Sequence, residues 1–198
     1  MTTFTHQPPE APTPHRFTRA EYYQMLEAGL FEGKRVELLD GEIIDMSAMK
    51  DLHAVAVGTV GRALDRAFPG CWARPSLPLS FLSDSEPEPD FAVVPGEPRD
   101  YKGRDAHPDT AMLVVEIADT SLRFDRGVMA EIYARAGIQD YWIVNLVDDC
   151  VEVLRDPQAD AEAPLGFQYR SKQTFARGQE IVPLAQSNAA IKVDDLLP

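Results

Sequence analysis

The chain predicts a mixed α/β domain, a central sheet flanked by helices, and three observations point there. Short apolar runs of strand length, 91–94 and 111–117, alternate with segments of helical periodicity. Asp40-Gly41 sits between two further apolar runs, a strong hairpin signal because a type I′ turn needs positive φ at both central residues. Two of the apolar runs carry a carboxylate at one end, Asp90 before Phe91 and Glu116 before Ile117.

Taken in order, residues 1–16 hold prolines and no periodicity and read as a flexible leader to a single domain, 17–198. Thr18-Arg19-Ala20-Glu21 is a capping box, and Tyr22, Met25 and Leu26 follow at helical spacing, predicting a helix over 19–28. The hairpin spans 35–46, with Glu37 on the same face as Arg35 and Leu39, a position open to an ordinary solvent-facing role. Residues 51–68 carry Leu52, Val55, Val60, Leu64 and Phe68 in helical rhythm up to Pro69-Gly70. His53 lies in that helix's first turn, within approach of a substrate but read as a solvent or packing residue.

Residues 71–74 and 77–82 read as short strands, and Pro87 and Pro89 stiffen the acidic approach that delivers Asp90 to the strand 90–94. The stretch 95–109, rich in Pro, Gly and charge, is a surface loop whose Arg99, Lys102 and Arg104 read as solvated. After the strand 111–117, residues 125–136 form a helix closed by Gly137, with Val128, Ile132, Tyr133 and Ala136 expected toward the core. Strands at 141–144, 151–154, 167–175 and 181–182 and a short helix at 193–197 complete the chain.

Composition narrows the function classes. No run approaches the ~18 apolar residues of a membrane span, and the polar N-terminus lacks a signal peptide's apolar core, which places the chain in the cytoplasm. Cys71 and Cys150 stand apart from any CxxC or Cys/His cluster and read as structural thiols. A net charge of −13 argues against a broad basic face for nucleic acid and predicts weak nonspecific affinity, yet leaves room for acids that converge on a metal ion. Phosphate-binding GxGxxG and GxxxxGK[ST], the GxSxG elbow and HExxH are all missing.

Glu116 at the end of a core strand needs compensation, because an ionised side chain there costs several kcal/mol, roughly, unless a partner or metal offsets it. Carboxylate oxygens are hard ligands suited to Mg²⁺ or Mn²⁺, which polarise phosphoryl oxygens and lower the pKa of bound water. Asp90 and Glu116 on neighbouring strands, with Glu37 as a third acid, are therefore the candidate site.

The runs Arg35-Val36-Glu37-Leu38-Leu39-Asp40-Gly41-Glu42-Ile43, Glu86-Pro87-Glu88-Pro89-Asp90, Val114-Val115-Glu116-Ile117-Ala118-Asp119-Thr120-Ser121 and Tyr133-Ala134-Arg135-Ala136-Gly137-Ile138, in this order, resemble the bacterial Uma-type restriction endonucleases of the restriction-endonuclease-like, PD-(D/E)xK superfamily. The resemblance runs from about Phe17 to the C-terminus. It implies a restriction-endonuclease-like core and a Mg²⁺- or Mn²⁺-dependent endonuclease acting on DNA, often as a homodimer, here with an edge strand near 169–175. It assigns Asp90, Glu116 and the backbone carbonyl of Ile117 to the metal and Glu37 to the catalytic set. The family's lysine, four residues before the tyrosine that matches Tyr133, is replaced by Met129, and Ala118 occupies the position of a strand lysine. Arg126, one helical turn before Met129, is the nearest substitute cation, though an arginine is a poor water activator. The alternative is a catalytically degenerate member that keeps the fold as a binding or interaction module.

Overall fold

The computed structural model describes residues 13–47, 50–103 and 107–198. The chain forms α1 (Arg19–Glu27), β1 (Val36–Leu39), β2 (Glu42–Asp45), α2 (Asp51–Ala67), β3 (Cys71–Pro75), β4 (Phe91–Pro95) and β5 (Leu113–Ala118). A composite helix follows: α3 (Leu122–Phe124), a π-helical segment (Asp125–Met129) and α4 (Ala130–Arg135). Then come β6 (Asp140–Asn145), β7 (Cys150–Ala159), β8 (Phe167–Ala176), β9 (Glu180–Ile181) and β10 (Ile191–Lys192). Among the described residues no helix is long and apolar enough to cross a membrane, and both cysteines are free thiols.

Six strands form the central sheet in the order β3-β4-β5-β6-β7-β8. β5 and β6 run parallel, joined by the composite helix, and the other neighbours pair antiparallel. Period-two alternation along β4 and β5 divides the core between two faces. Phe91, Val93, Leu113, Val115 and Ile117 meet Ala56, Val60, Ala63 and Leu64 of α2. Ala92, Val94, Val114 and Ala118 meet Met129, Ile132 and Tyr133 from the other side. The fold is thus a mixed sheet between helices, as the periodicity predicts.

The capping box closes α1 in both directions: Thr18 Oγ1 accepts from Glu21 N–H at 3.3 Å and Glu21 Oε2 from Thr18 N–H at 2.8 Å. Asp40 and Gly41 take φ of 48° and 74°, so the β1–β2 turn is of the mirror-image class that matches strand twist. A Cβ at Gly41 would also come within 2.7 Å of Arg16, so this glycine is required twice over. Arg135 of α4 holds the turn, donating to Asp40 and Asp84 at 2.8 Å each.

Several expectations are corrected. Residues 77–82 form no strand; the segment 76–90 crosses the sheet face and pairs at the isolated bridges Leu38↔Glu86 and Leu82↔Ser85. Its apolar residues are core contacts, with Leu79 fully buried. That segment also buries Glu37, because β1 is now flanked by β2 on one side and by residues 84–88 on the other. Val60, Leu64 and Phe68 are buried as expected, but Leu52 and Val55 are exposed, and Ala56, Ala63 and Ala67 complete the buried stripe of α2. The C-terminal helix is a single turn, Val193–Asp195. Arg104 and most of the leader lie outside the described residues.

The helix after β5 begins earlier than its pattern suggests and contains the π segment. A π turn takes up extra residues and rotates everything before it relative to the helix that follows. Val128 is therefore exposed, while Met129 and Asp125 turn inward.

Candidate active site

A pocket of about 310 Å³ opens at the end of β4 and β5, bordered by Glu37, Lys50, His53, Asp90, Glu116, Asp125 and Met129 among others. The pairing Phe91↔Val115 places Asp90 opposite Glu116 one step beyond the last ladder pair. Each carboxylate then accepts from the other strand's backbone: Ile117 N–H donates to Asp90 Oδ2 at 2.7 Å, and Asp90 N–H donates to Glu116 Oε2 at 3.1 Å. The Tyr133 hydroxyl donates to Glu116 Oε1 at 2.7 Å, and His53 Nε2 lies 2.8 Å from Asp90 Oδ1. Two like charges directly opposed on a sheet repel, so the reciprocal bonds hold an arrangement that the side chains alone would oppose.

Ile117 faces the opposite core with its side chain and borders the pocket with its backbone. Glu37 reaches the same pocket from β1, where its Oε2 accepts from Glu88 N–H at 3.2 Å. Met129, only 3% exposed, lines the wall in the position where the resemblance expects a lysine.

Arg126 is not brought to this pocket. Its guanidinium holds Glu152 of β7 through Nε at 2.9 and 3.1 Å and through Nη2, with Asp148 at 3.3 Å. Glu152 is 1% exposed and is further held by Lys172 and by Asn145 at 3.0 Å. A buried carboxylate demands such partners, and the π segment points Arg126 toward it. The candidate substitute cation is thus a structural ion-pair partner. Lys50 and Arg35 are cations that border the acid pocket, Lys50 lying 3.3 Å from Asp119 and Arg35 3.8 Å from Glu88. Lys50 and Asp125 have no assignment from the sequence and His53 reads there as a solvent or packing residue, since helical spacing alone cannot aim a first-turn side chain at β4; the structure sets His53 against Asp90 instead.

The pocket's charge is unbalanced. Burial pushes Glu37 up to about 7 and Asp125 up to about 6. Burial, then repulsion from Asp90 and Asp125, raises Glu116 well above the carboxylate range. The hydrogen bond to Asp90 raises His53.

For Glu37 the folded-state value exceeds its ordinary 4.5, so the folded protein holds more protons between pH 4.5 and 7 and loses stability as pH rises through that window. Glu37→Gln keeps an acceptor for Glu88 N–H and removes the charge. In metal-free buffer at pH 7.5 it should raise Tm by roughly 3–10 °C, equivalent to about 1–3 kcal/mol, and change little near pH 4.5. Differential scanning calorimetry checks this; a lower Tm would show that Arg35 stabilises the ionised form.

The Uma2 family model, described as putative restriction endonuclease, matches residues 19–193. A crystal structure from Anabaena variabilis ATCC 29413, described as a putative nuclease belonging to DUF820, superposes with a TM-score of 0.60 at 17% identity, covering 86% of this chain and 96% of that one. At that identity the likeness bears on the fold. No curated protein matches. With nearly the whole domain inside the family match, from α1 to the last turn, the chain belongs to the Uma2 family.

Proposed function

We propose that the chain is a Mg²⁺- or Mn²⁺-dependent endonuclease acting on DNA. The observation that carries the reading is the opposed pair Asp90 and Glu116, cross-bonded through Ile117 and Asp90 backbone N–H groups in a pocket that also contains Glu37. Family membership supports it.

The donor set suits a hard divalent cation. Among the described residues no group of three or more His, Cys, Asp and Glu is arranged to hold a metal ion, so the match is to a hydrated Mg²⁺ held by one or two carboxylates plus water, rather than to an all-protein cage. Asp90, Glu116 and the Ile117 carbonyl would hold it, and the excess negative charge that raises Glu116 is what such a cation neutralises. Bound there, it would polarise a phosphoryl oxygen and lower the pKa of a water.

The chain's own groups have separable tasks. His53 fixes the orientation of Asp90 through Oδ1. Glu37, at about 7, is matched to accepting a proton near neutral pH. Lys50 and Arg35 face the space in which a phosphate would sit. A homodimer through β8, one of the two outer strands of the sheet, is the arrangement by which two such sites would cut both strands.

A second reading, a binding module on a nuclease fold, is favoured by the buried thioether of Met129. Cleavage of supercoiled plasmid and single-stranded DNA separates the two. Nicking in Mg²⁺ or Mn²⁺ that EDTA abolishes and fresh Mn²⁺ restores is the expected result; no cleavage with either ion, by folded protein, favours the module.

A further inference from the structure

A second and larger cleft, about 720 Å³, lies beside the edge strand β3 and is bordered by Arg19, Tyr23, Trp72, Arg74, Tyr101 and His107. Trp72 and Arg74 stand two apart on β3 and so project to one side. The guanidinium carbon of Arg74 lies 5.1 Å from the centre of the Trp72 ring, and the Tyr101 ring lies 5.5 Å from Trp72.

Arg74 is only 3% exposed. Its Nη1 donates to Pro78 O at 3.1 Å, but among the described residues Nε has no hydrogen-bond partner and no carboxylate comes within 4.0 Å of the guanidinium. Among the described residues Arg19 offers a second unpartnered donor, Nη1, while its Nε lies 3.4 Å from Glu86. Glu86 is buried behind these residues, and the Tyr23 hydroxyl and Ser80 Oγ already bind it, with His107 Nε2 at 4.0 Å.

A buried cation without a counter-ion is costly, as is a buried donor without an acceptor. Arg74 combines both faults in a cleft large enough for a ligand, and each is relieved by an anion entering from outside. The aromatic rim adds a surface for a flat ring. We propose that this cleft binds a nucleotide, its phosphate received by Arg74 and Arg19 and its base lying against Trp72 and Tyr101.

The cleft and the acid pocket share one face of the sheet. Arg74 pairs with Ala92, two residues from Asp90, a separation of about 7 Å along β4 and about 5 Å across to β3. The segment 76–90 borders both, through Leu77 and Ser80 on one side and Glu88 on the other. Two sources of the ligand follow: a free mononucleotide, or a nucleotide of a bound single strand. Only the second rests on the nuclease reading.

Tryptophan fluorescence tests the proposal directly, because Trp142 is fully buried against Asp140 and leaves Trp72 to report on the cleft. Titrations in EDTA use deoxyadenosine monophosphate, a short single-stranded oligothymidylate and inorganic phosphate. Saturable quenching that inorganic phosphate reverses is expected, with affinity falling about tenfold or more in Arg74→Gln. Arg74→Lys, which keeps the charge but not the planar fork, should fall between wild type and Arg74→Gln and serves if Arg74→Gln fails to fold. Quenching by the oligonucleotide alone identifies a strand subsite, and equal quenching by the monophosphate identifies a nucleotide site. No saturable quenching in folded wild type, or unchanged affinity in both Arg74 variants, overturns the proposal. Wild-type protein that binds through Arg74 in EDTA yet never cleaves DNA in Mg²⁺ or Mn²⁺ would sink the nuclease reading alone.

Discussion

With Asp90 holding the metal as proposed, Asp90→Ala should lower Mg²⁺-dependent cleavage by roughly a thousandfold, since loss of such a ligand removes several kcal/mol of charge stabilisation at about 1.4 kcal/mol per factor of ten. Alanine also strips the acceptor from Ile117 N–H, bonded at 2.7 Å in the native protein, which costs about 1–3 kcal/mol of stability. Asp90→Asn separates the two effects. It keeps an acceptor for Ile117 and loses the anionic charge, so its fold should hold while cleavage still falls. Supercoiled-plasmid nicking beside a thermal melt reads both quantities, and an Asp90→Asn protein that nicks at the wild-type rate would remove Asp90 from the chemistry.

Met129→Lys is the second large effect, and its sign is a gain. Met129 is buried on the pocket wall with Glu37, Glu116 and Asp125, all three raised by burial above their ordinary values. An ammonium there meets an excess of negative charge, so its own desolvation is offset and it stays protonated. Cleavage in Mg²⁺ should rise about tenfold to a hundredfold, the scale of one preorganised charge aimed at a developing oxyanion. An unchanged rate in an active wild type would mean that another cation already does this, with Lys50 the first to replace. Activity confined to the variant would mean that the wild-type site has lost only its cation.

The residues reveal much of this because local and global signals agree where an element has one strong reason to form. Thr18 and Glu21 announce α1, Asp40-Gly41 announces its turn, and acids at the ends of apolar runs announce the opposed pair. What is not legible depends on tertiary neighbours. Glu37 looks like half of a solvent-facing alternation until residues 84–88 cover its strand. Arg126 looks like a neighbour of Met129 on one helix face until the π segment breaks the 3.6-residue phase and hands it to Glu152. Residues 77–82 carry a strand's apolarity but make a single bridge, at Leu82, instead of a ladder, and no spacing rule distinguishes those outcomes. Arg74 gives no signal at all, since only the folded structure shows that its Nε has no hydrogen-bond partner among the described residues.

The order of strands in the main sheet is also their order along the chain. Every strand therefore finds its partner in the segment made just before it, and no pairing must wait for a distant terminus. Short closures cost little chain entropy and favour rapid assembly. During synthesis from the N-terminus, β3, β4 and β5 can emerge and pair before β8 has been made. Both acids of the opposed pair, and the buried Arg74, belong to that early half of the sheet. The late half contributes the β8 edge and the Glu152 anchor for Arg126, so a chain truncated after β6 loses that anchor and keeps its carboxylates.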